Sequence, residues 1–322
     1  MVEPTKARVA VRARSGPLDD AAADEVRALA ARAGRADGVP PLSEQPLLWL
    51  TSAEAPTVHV EAREGGVLAG YAQVDVGSGT TARAELVVEP GLRRAGVGRA
   101  LLAAAAMVAA RVEGRRLAVW AHGDLPAARA FAAHADMAVV RELWQMRVDL
   151  GVREPLARPL PSGVTVRAFV PGQDEEAWRR VNSRAFAYHP EQGRMTKEDL
   201  LAREAEPWFD PAGFLLAERE GKLLGSVWTK VHDDGPVGEI YVVGVDPDAQ
   251  GLGLGGALTE LGLAYLRGRG LRAAILYTGA ENEVAVRTYV RAGFERSAVD
   301  VMFGTDSPVD TASSLGGATM TP

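Results

Sequence analysis

The chain has 322 residues, 47% apolar and 24% charged, with a net charge of −6 and no cysteine. That length suits two domains of ordinary size, the acidic balance argues against a nucleic-acid partner, and the missing cysteine excludes disulfides, thiolate metal sites and a thiol nucleophile. The first residues carry no apolar signal-like stretch, and the longest apolar run, ALLAAAAMVAA at 100–110, is too short to span a bilayer, so a cytoplasmic protein without membrane contact is expected.

In chain order, VHVEAREGGVLAGYAQVDV reads as a hairpin, and LVVEPGLRRAGVGRALL at 86–102 as a strand, a turn and a glycine-rich helix start. The proline-rich GVREPLARPLPSG at 151–163 has no periodicity and reads as a linker. Beyond it, VTVRAF is a strand and DEEAWRRVNSRAFAYH a helix. TKEDLLAREA is a second helix, with Thr196 and Asp199 spaced as a capping box. FLLAERE, LLGSVWTKVH and GEIYVVGVD are three strands in series. After another glycine-rich start come a helix to about Gly270, the strand RAAILY, the helix NEVAVRTYVRAG and a last strand from Phe294 to Phe303. The small, polar end from Gly304 onward reads as a disordered tail.

The two halves repeat each other. VGVDPDAQGLGLGGALT at 243–259 matches the 86–102 segment at an offset of 157, with Pro247 on Pro90, Gly253 on Gly96 and Gly255 on Gly98. An offset near half the chain means two copies of one domain. The expected division is 1–150, a linker at 151–163, a second domain at 164–303, and the tail at 304–322. Hairpin strands followed by alternating helices and strands imply an α/β fold, each domain a mixed, mostly antiparallel sheet flanked by helices.

Gly251, Gly253 and Gly256 satisfy G-x-G-x-x-G, which raises a dinucleotide-binding unit. The following LRAAIL at 271–276 offers no acid for a ribose, and of these glycines only Gly253 recurs in the other copy, followed in both by the shared glycine at 255 and 98. What the copies share is a polar residue, Arg93 or Gln250, three positions before Gly-x-Gly. Each places free backbone N–H groups at a helix start, where a phosphate is favoured.

This [RQ]-x-x-G-x-[GA] pattern after a strand resembles the acetyl-CoA loop of the GCN5-related N-acetyltransferases. The second copy also carries N-x-x-A-x-x-x-Y-x-x-x-G-F as Asn282, Ala285, Tyr289, Gly293 and Phe294. The resemblance covers both halves and implies two tandem domains of that fold using acetyl-CoA as cosubstrate, with no metal. In the second half it implies cosubstrate contacts from Val243, Gly244 and Val245, then Gln250, Gly251, Leu252, Gly253, Leu254, Gly255 and Gly256, with Asn282 and Arg287 beyond. In the first half the matching positions are Leu86, Val87 and Val88, then Arg93, Arg94, Gly96, Val97, Gly98 and Arg99.

At the same offset Tyr289 falls on Ala132 and Glu239 on Ala82, so the second domain is expected to be catalytic and the first a degenerate acetyl-CoA binder or support. Glu239 is the candidate base and Tyr289 the candidate acid, although a strand glutamate is ordinarily solvated and a tyrosine among Val286, Val290 and Phe294 is ordinarily core. Transfer is expected to be direct, in a ternary complex. A tandem pair carrying FAYHPEQ, WTKVH, YVVGVDP and AVRTYVRAGF resembles a branch of the family whose acceptor is the cysteinyl amine of a cysteinyl-glucosaminyl-inositol. That resemblance implicates Glu191, Lys230, Tyr277 at the end of AILY, and Glu239, with Glu44 of LSEQ, as acceptor contacts. His189 and His232 read as loop residues, having no second histidine at ligand spacing. Another small amine, a peptide N-terminus, or a non-catalytic CoA-binding protein are the alternatives. A monomer is expected.

Overall fold

The computed structural model describes residues 9–77, 79–112, 114–152, 155–156, 158–187, 192–232 and 235–305. His189 and Glu191, and the tail beyond Thr305, lie outside them.

The chain forms two compact units: residues 1–142 with 299–322, and residues 143–298. The first contains β1 (Ala10–Ser15), α1 (Asp20–Asp37), α2 (Glu44–Leu48), β2 (Thr57–Glu64), β3 (Val67–Asp75), β4 (Thr81–Val88), α3 (Val97–Arg111), β5 (Arg116–Ala121), α4 (Pro126–His134) and the start of β6 (Ala138–Asp149). The second contains the rest of β6, then β7 (Thr165–Ala168), α5 (Glu175–Ala185), α6 (Lys197–Glu204), β8 (Phe214–Arg219), β9 (Lys222–Val231), β10 (Val237–Val245), α7 (Leu254–Gly268), β11 (Ala273–Gly279), α8 (Glu283–Arg291) and the start of β12 (Glu295–Gly304).

Within each unit the sheet is mixed and mostly antiparallel. In the first, β1, β2, β3 and β4 pair antiparallel in series, β4 pairs β5 in parallel, and Val301–Gly304 of β12 close the far side against β5. In the second, β7 to β10 follow the same series, β10 pairs β11 in parallel, and Leu143–Asp149 of β6 lie antiparallel on β11. The sixth strand of each unit is therefore supplied by the other half of the chain, so the units do not follow a cut at residue 150.

The helices bury their apolar stripes on both sheet faces. In the second unit α7 sets Leu254, Leu258, Leu263 and Leu266 against Ile240, Leu276 and Phe294. The opposite face is aromatic: Phe169, Trp178, Phe214 and Trp228 pack together, with the Phe214 and Trp228 rings stacked 4.5 Å apart. The capping box of α6 is present, with Asp199 N donating to Thr196 Oγ1 and Thr196 N donating to Asp199 Oδ2, both at 3.0 Å.

Candidate active site

The parallel pair at the centre of the second unit lasts only three residues: Val237↔Ala273, Gly238↔Ala274 and Glu239↔Ile275. Beyond Glu239, β10 stays on β9 and leaves β11, opening a fork. Asp246 N donates to Leu224 O on β9 at 2.8 Å. Strand alternation then turns the Gly244 amide the same way and those of Val243 and Val245 into the opening. A carbonyl oxygen in the fork would meet two fixed N–H donors.

The strand ends in a tight turn and the glycine loop. Gly251 and Gly253 have φ of +79° and +78°, left-handed values that favour glycine. The first bond of α7 runs from Ala257 N to Gly253 O at 3.2 Å, so the amides of Leu254, Gly255 and Gly256 have no partner inside the helix. A Cβ at Gly251 or Gly253 would meet nothing within 4 Å. Open space above unpaired amides fits a diphosphate. The turn is braced by Arg184 of α5, which donates to Asp246 at 2.9 and 3.1 Å and reaches Asp248. In the first unit Arg32 and Glu89 repeat that brace.

At the fork, Glu239 is 7% exposed, and its Oε2 lies 2.9 Å from His232 Nε2. His232, which follows β9, is thus the partner of the candidate base. Lys230 stands directly across from Glu239, on the same sheet face. Its Nζ lies 4.3 Å from the ring centroid of Trp208 and 5.4 Å from that of Tyr241. Arg203, 4% exposed, donates to the Tyr241 hydroxyl at 2.6 Å. A carboxylate, a histidine, an ammonium and two aromatic faces thus share one side of the opening. None of Trp208, Tyr241 or Arg203 is signalled by spacing, because three separate elements bring them together.

Tyr289 sits on α8, half-buried, with its ring 5.9 Å from Phe294. Burial pushes its phenol up to about 12. Asn282 is the N-cap of α8, and its Oδ1 accepts from Ala285 N at 3.1 Å, leaving the side-chain NH₂ available. Arg287 is exposed and paired with Glu283 at 2.9 Å. The Tyr277 hydroxyl, on β11, accepts from Gln145 Nε2 at 2.8 Å.

In the first unit the fork opens after Glu85↔Trp120. Gly96 has φ +94°, and α3 starts at Val97, which is 1% exposed. Arg93 forms a two-point pair with Asp37 at 2.7 and 2.8 Å. Arg94 and Arg99 are exposed. Glu44 lies in the first turn of α2.

The position of Glu239 carries no carboxylate in the first unit, but a different residue brings one to that fork. Glu85, 7% exposed, is the last paired residue of β4. The one-residue bulge between Ile240 and Val242 moves the counterpart of Glu239 from Ala82 to Arg83, which pairs with Ala118 as Glu239 pairs with Ile275, so Glu85 occupies a different position on its strand. Glu85 is already engaged, accepting from Ser43 N and Oγ, both at 2.7 Å. It faces His122 Nε2 at 3.4 Å, and His122 Nδ1 lies 3.0 Å from Asp300 Oδ2. Burial disfavours the imidazolium, but Glu85 and Asp300 outweigh it and raise His122 from 6.5 to about 10.

Among the described residues no helix is long and apolar enough to cross a membrane, and no three side chains form a metal-binding group. The sequence profile of the Acetyltransferase (GNAT) family matches twice, at residues 24–136 and 177–294. The chain is 68% identical to the Mycothiol acetyltransferase of Cellulomonas flavigena, over 95% of both chains. It is 55% identical to that of Sanguibacter keddieii, over 91% of this chain and 96% of the relative. Among solved structures it resembles a GCN5-related N-acetyltransferase from Sphaerobacter thermophilus, at TM-score 0.63 and 26% identity over 94% and 96% of the two chains. A tandem GNAT protein from the clavulanic acid biosynthesis pathway shares the fold at TM-score 0.68 and 22% identity, over 92% and 98%. Two profile matches, paired parallel-strand forks and full-length relatives lead to one conclusion: this chain belongs to the GNAT family of acetyltransferases, with the family's domain present twice.

Proposed function

We propose that the second unit transfers the acetyl group of acetyl-CoA to the cysteinyl amine of a cysteinyl-glucosaminyl-inositol, the acylation that completes mycothiol. The names of the full-length relatives support this acceptor. The observation that carries the chemistry is the fork itself: a buried carboxylate with a histidine at 2.9 Å, at the point where β10 leaves β11.

The thioester supplies the activated acyl carbon. Its carbonyl oxygen gains charge in the transition state, and the amides of Val243 and Val245 are fixed donors aimed into that space. A free α-amine has a pKa near 7.7–8.0, so the attacking nitrogen needs only a modest base. Glu239 takes the proton, directly or through a water, and His232 holds the carboxylate in position and shares the charge. Tyr289 keeps its proton through the neutral range and can give it to the departing sulfur. Lys230, Trp208 and Tyr241 offer a charged and aromatic wall to a polyhydroxylated acceptor, with Tyr277 beyond them. Glu191 and Glu44 are further acceptor contacts in this reading. The first unit binds acetyl-CoA or supports the second; Ser43 and His122 already occupy its fork carboxylate.

Incubating the purified protein with acetyl-CoA and cysteinyl-glucosaminyl-inositol, followed by mass spectrometry, tests the reading. A product heavier by one acetyl group on nitrogen is expected. Acetylation of other small amines only would replace the acceptor, and no transfer to any amine would favour a CoA-binding protein without catalysis.

A further inference from the structure

The two phosphate loops differ in charge. The first carries Arg93, Arg94 and Arg99, whereas the matching positions of the second are Gln250, Gly251 and Gly256. The second loop therefore supplies backbone amides but no cation of its own.

A cation reaches it from elsewhere in the second unit. Arg158, in the connecting segment before β7, lies over the first turn of α7. A Cβ at Gly256 would stand 2.8 Å from its Nη1 and 3.3 Å from its Cζ. The glycine is what admits the guanidinium, and it occupies the position where the first unit has Arg99. The segment is anchored on both sides of Arg158. Leu156 N donates to Glu260 Oε2, one helical turn beyond Gly256, at 3.3 Å, and Leu160 packs on the core beneath α7. Among the described residues Arg158 forms no hydrogen bond or ion pair. A half-buried guanidinium beside Gly256, in the first turn of α7, therefore has no counter-charge among the described residues.

We infer that Arg158 is a cosubstrate-binding residue, the cation that neutralises the CoA diphosphate at the second loop and replaces in space the arginine that Gly256 lacks in sequence. This rests on the reading that the second loop holds acetyl-CoA. The acyl carbon reacts at the fork, away from Arg158, so the residue contributes to binding and not to the chemical step.

The test is calorimetric titration of the full chain with CoA, following the site that Gly253→Asp removes, together with steady-state kinetics. R158A is expected to raise Kd for CoA and KM for acetyl-CoA about tenfold, as for loss of a charge-assisted contact, with kcat unchanged. R158K should keep part of the affinity. KM for S-acetylpantetheine, which has no diphosphate, should not move. The double variant R158A/G256R, in which the cavity left by the guanidinium admits the new side chain, should recover CoA binding. Unchanged CoA affinity in R158A, or an equal loss toward S-acetylpantetheine, would overturn the assignment. A wild-type chain that binds no CoA would instead overturn the cosubstrate reading on which it rests.

Discussion

His232 Nε2 stands 2.9 Å from Glu239 Oε2 at the mouth of the fork; His232 directly follows β9 and Glu239 lies on β10. The pair gives the base both a fixed rotamer and a second titratable group. Glu239→Gln keeps shape and burial but cannot accept the proton, so kcat should fall by about 10²- to 10⁴-fold, the usual weight of general-base catalysis. The deficit should shrink as pH rises above about 8, where the amine loses its proton unaided. His232→Gln should give a smaller loss of the same kind. A pH-rate profile of both variants checks this; a deficit that is constant with pH would place Glu239 in acceptor binding.

Much of this arrangement was legible in the sequence. The 157-residue offset located both glycine loops, and the GNAT-like spacing pointed to Tyr289 and Glu239. His232 gives no signal in the sequence, because its partner lies seven residues on and is brought to it only by the pairing of β9 with β10. Glu85 gives no signal of this kind, because it stands at a different position on β4 from that of Glu239 on β10. The exchange of β6 and β12 was hidden for a different reason. A strand's pattern shows which face is buried, and is silent on which free edge the strand will join.

Tyr289 is held at about 12 by burial, so it stays protonated throughout the working range of a neutral enzyme. Tyr289→Phe retains the contact with Phe294 and should leave Tm within about 1–2 °C, since little packing is lost. It removes the only proton the side chain can give, and kcat should drop about 10²-fold for an acid role, with KM for acetyl-CoA unchanged. The wild-type kcat should show no alkaline limb from this group below pH 11. Equal kcat in the variant would return Tyr289 to the core.

The two loops should respond differently to the same lesion. Gly253 has φ +78° and Gly96 has φ +94°, so an aspartate at either strains the backbone and brings a negative charge to the anion site. If catalysis belongs to the second unit, Gly253→Asp abolishes turnover, while Gly96→Asp leaves kcat near wild type and removes at most one CoA-binding event. Initial rates and CoA stoichiometry measured on both variants check the assignment. Activity lost only with Gly96→Asp reverses it.

The Glu85–His122–Asp300 cluster should make the stability of the first unit depend on pH in one direction. The folded pKa of His122, about 10, lies above the unfolded value of 6.5. The cluster's stabilisation is therefore fully present below pH 6.5 and is lost as pH rises through 10. His122 joins β12 to β4, with Asp300 also accepting from Gly123 N at 2.7 Å. His122→Gln leaves the buried Glu85 and the half-buried Asp300 without their cation, and at pH 6.5 it should cost about 3–5 kcal/mol, as for breaking a buried pair. Scanning calorimetry from pH 6 to 10 should show the gap in Tm between wild type and variant narrowing with pH. Asp300→Asn should cause a loss of the same kind at pH 6.5, and His122→Gln should add little further once that carboxylate is gone. Additive losses would mean that His122 acts without Asp300.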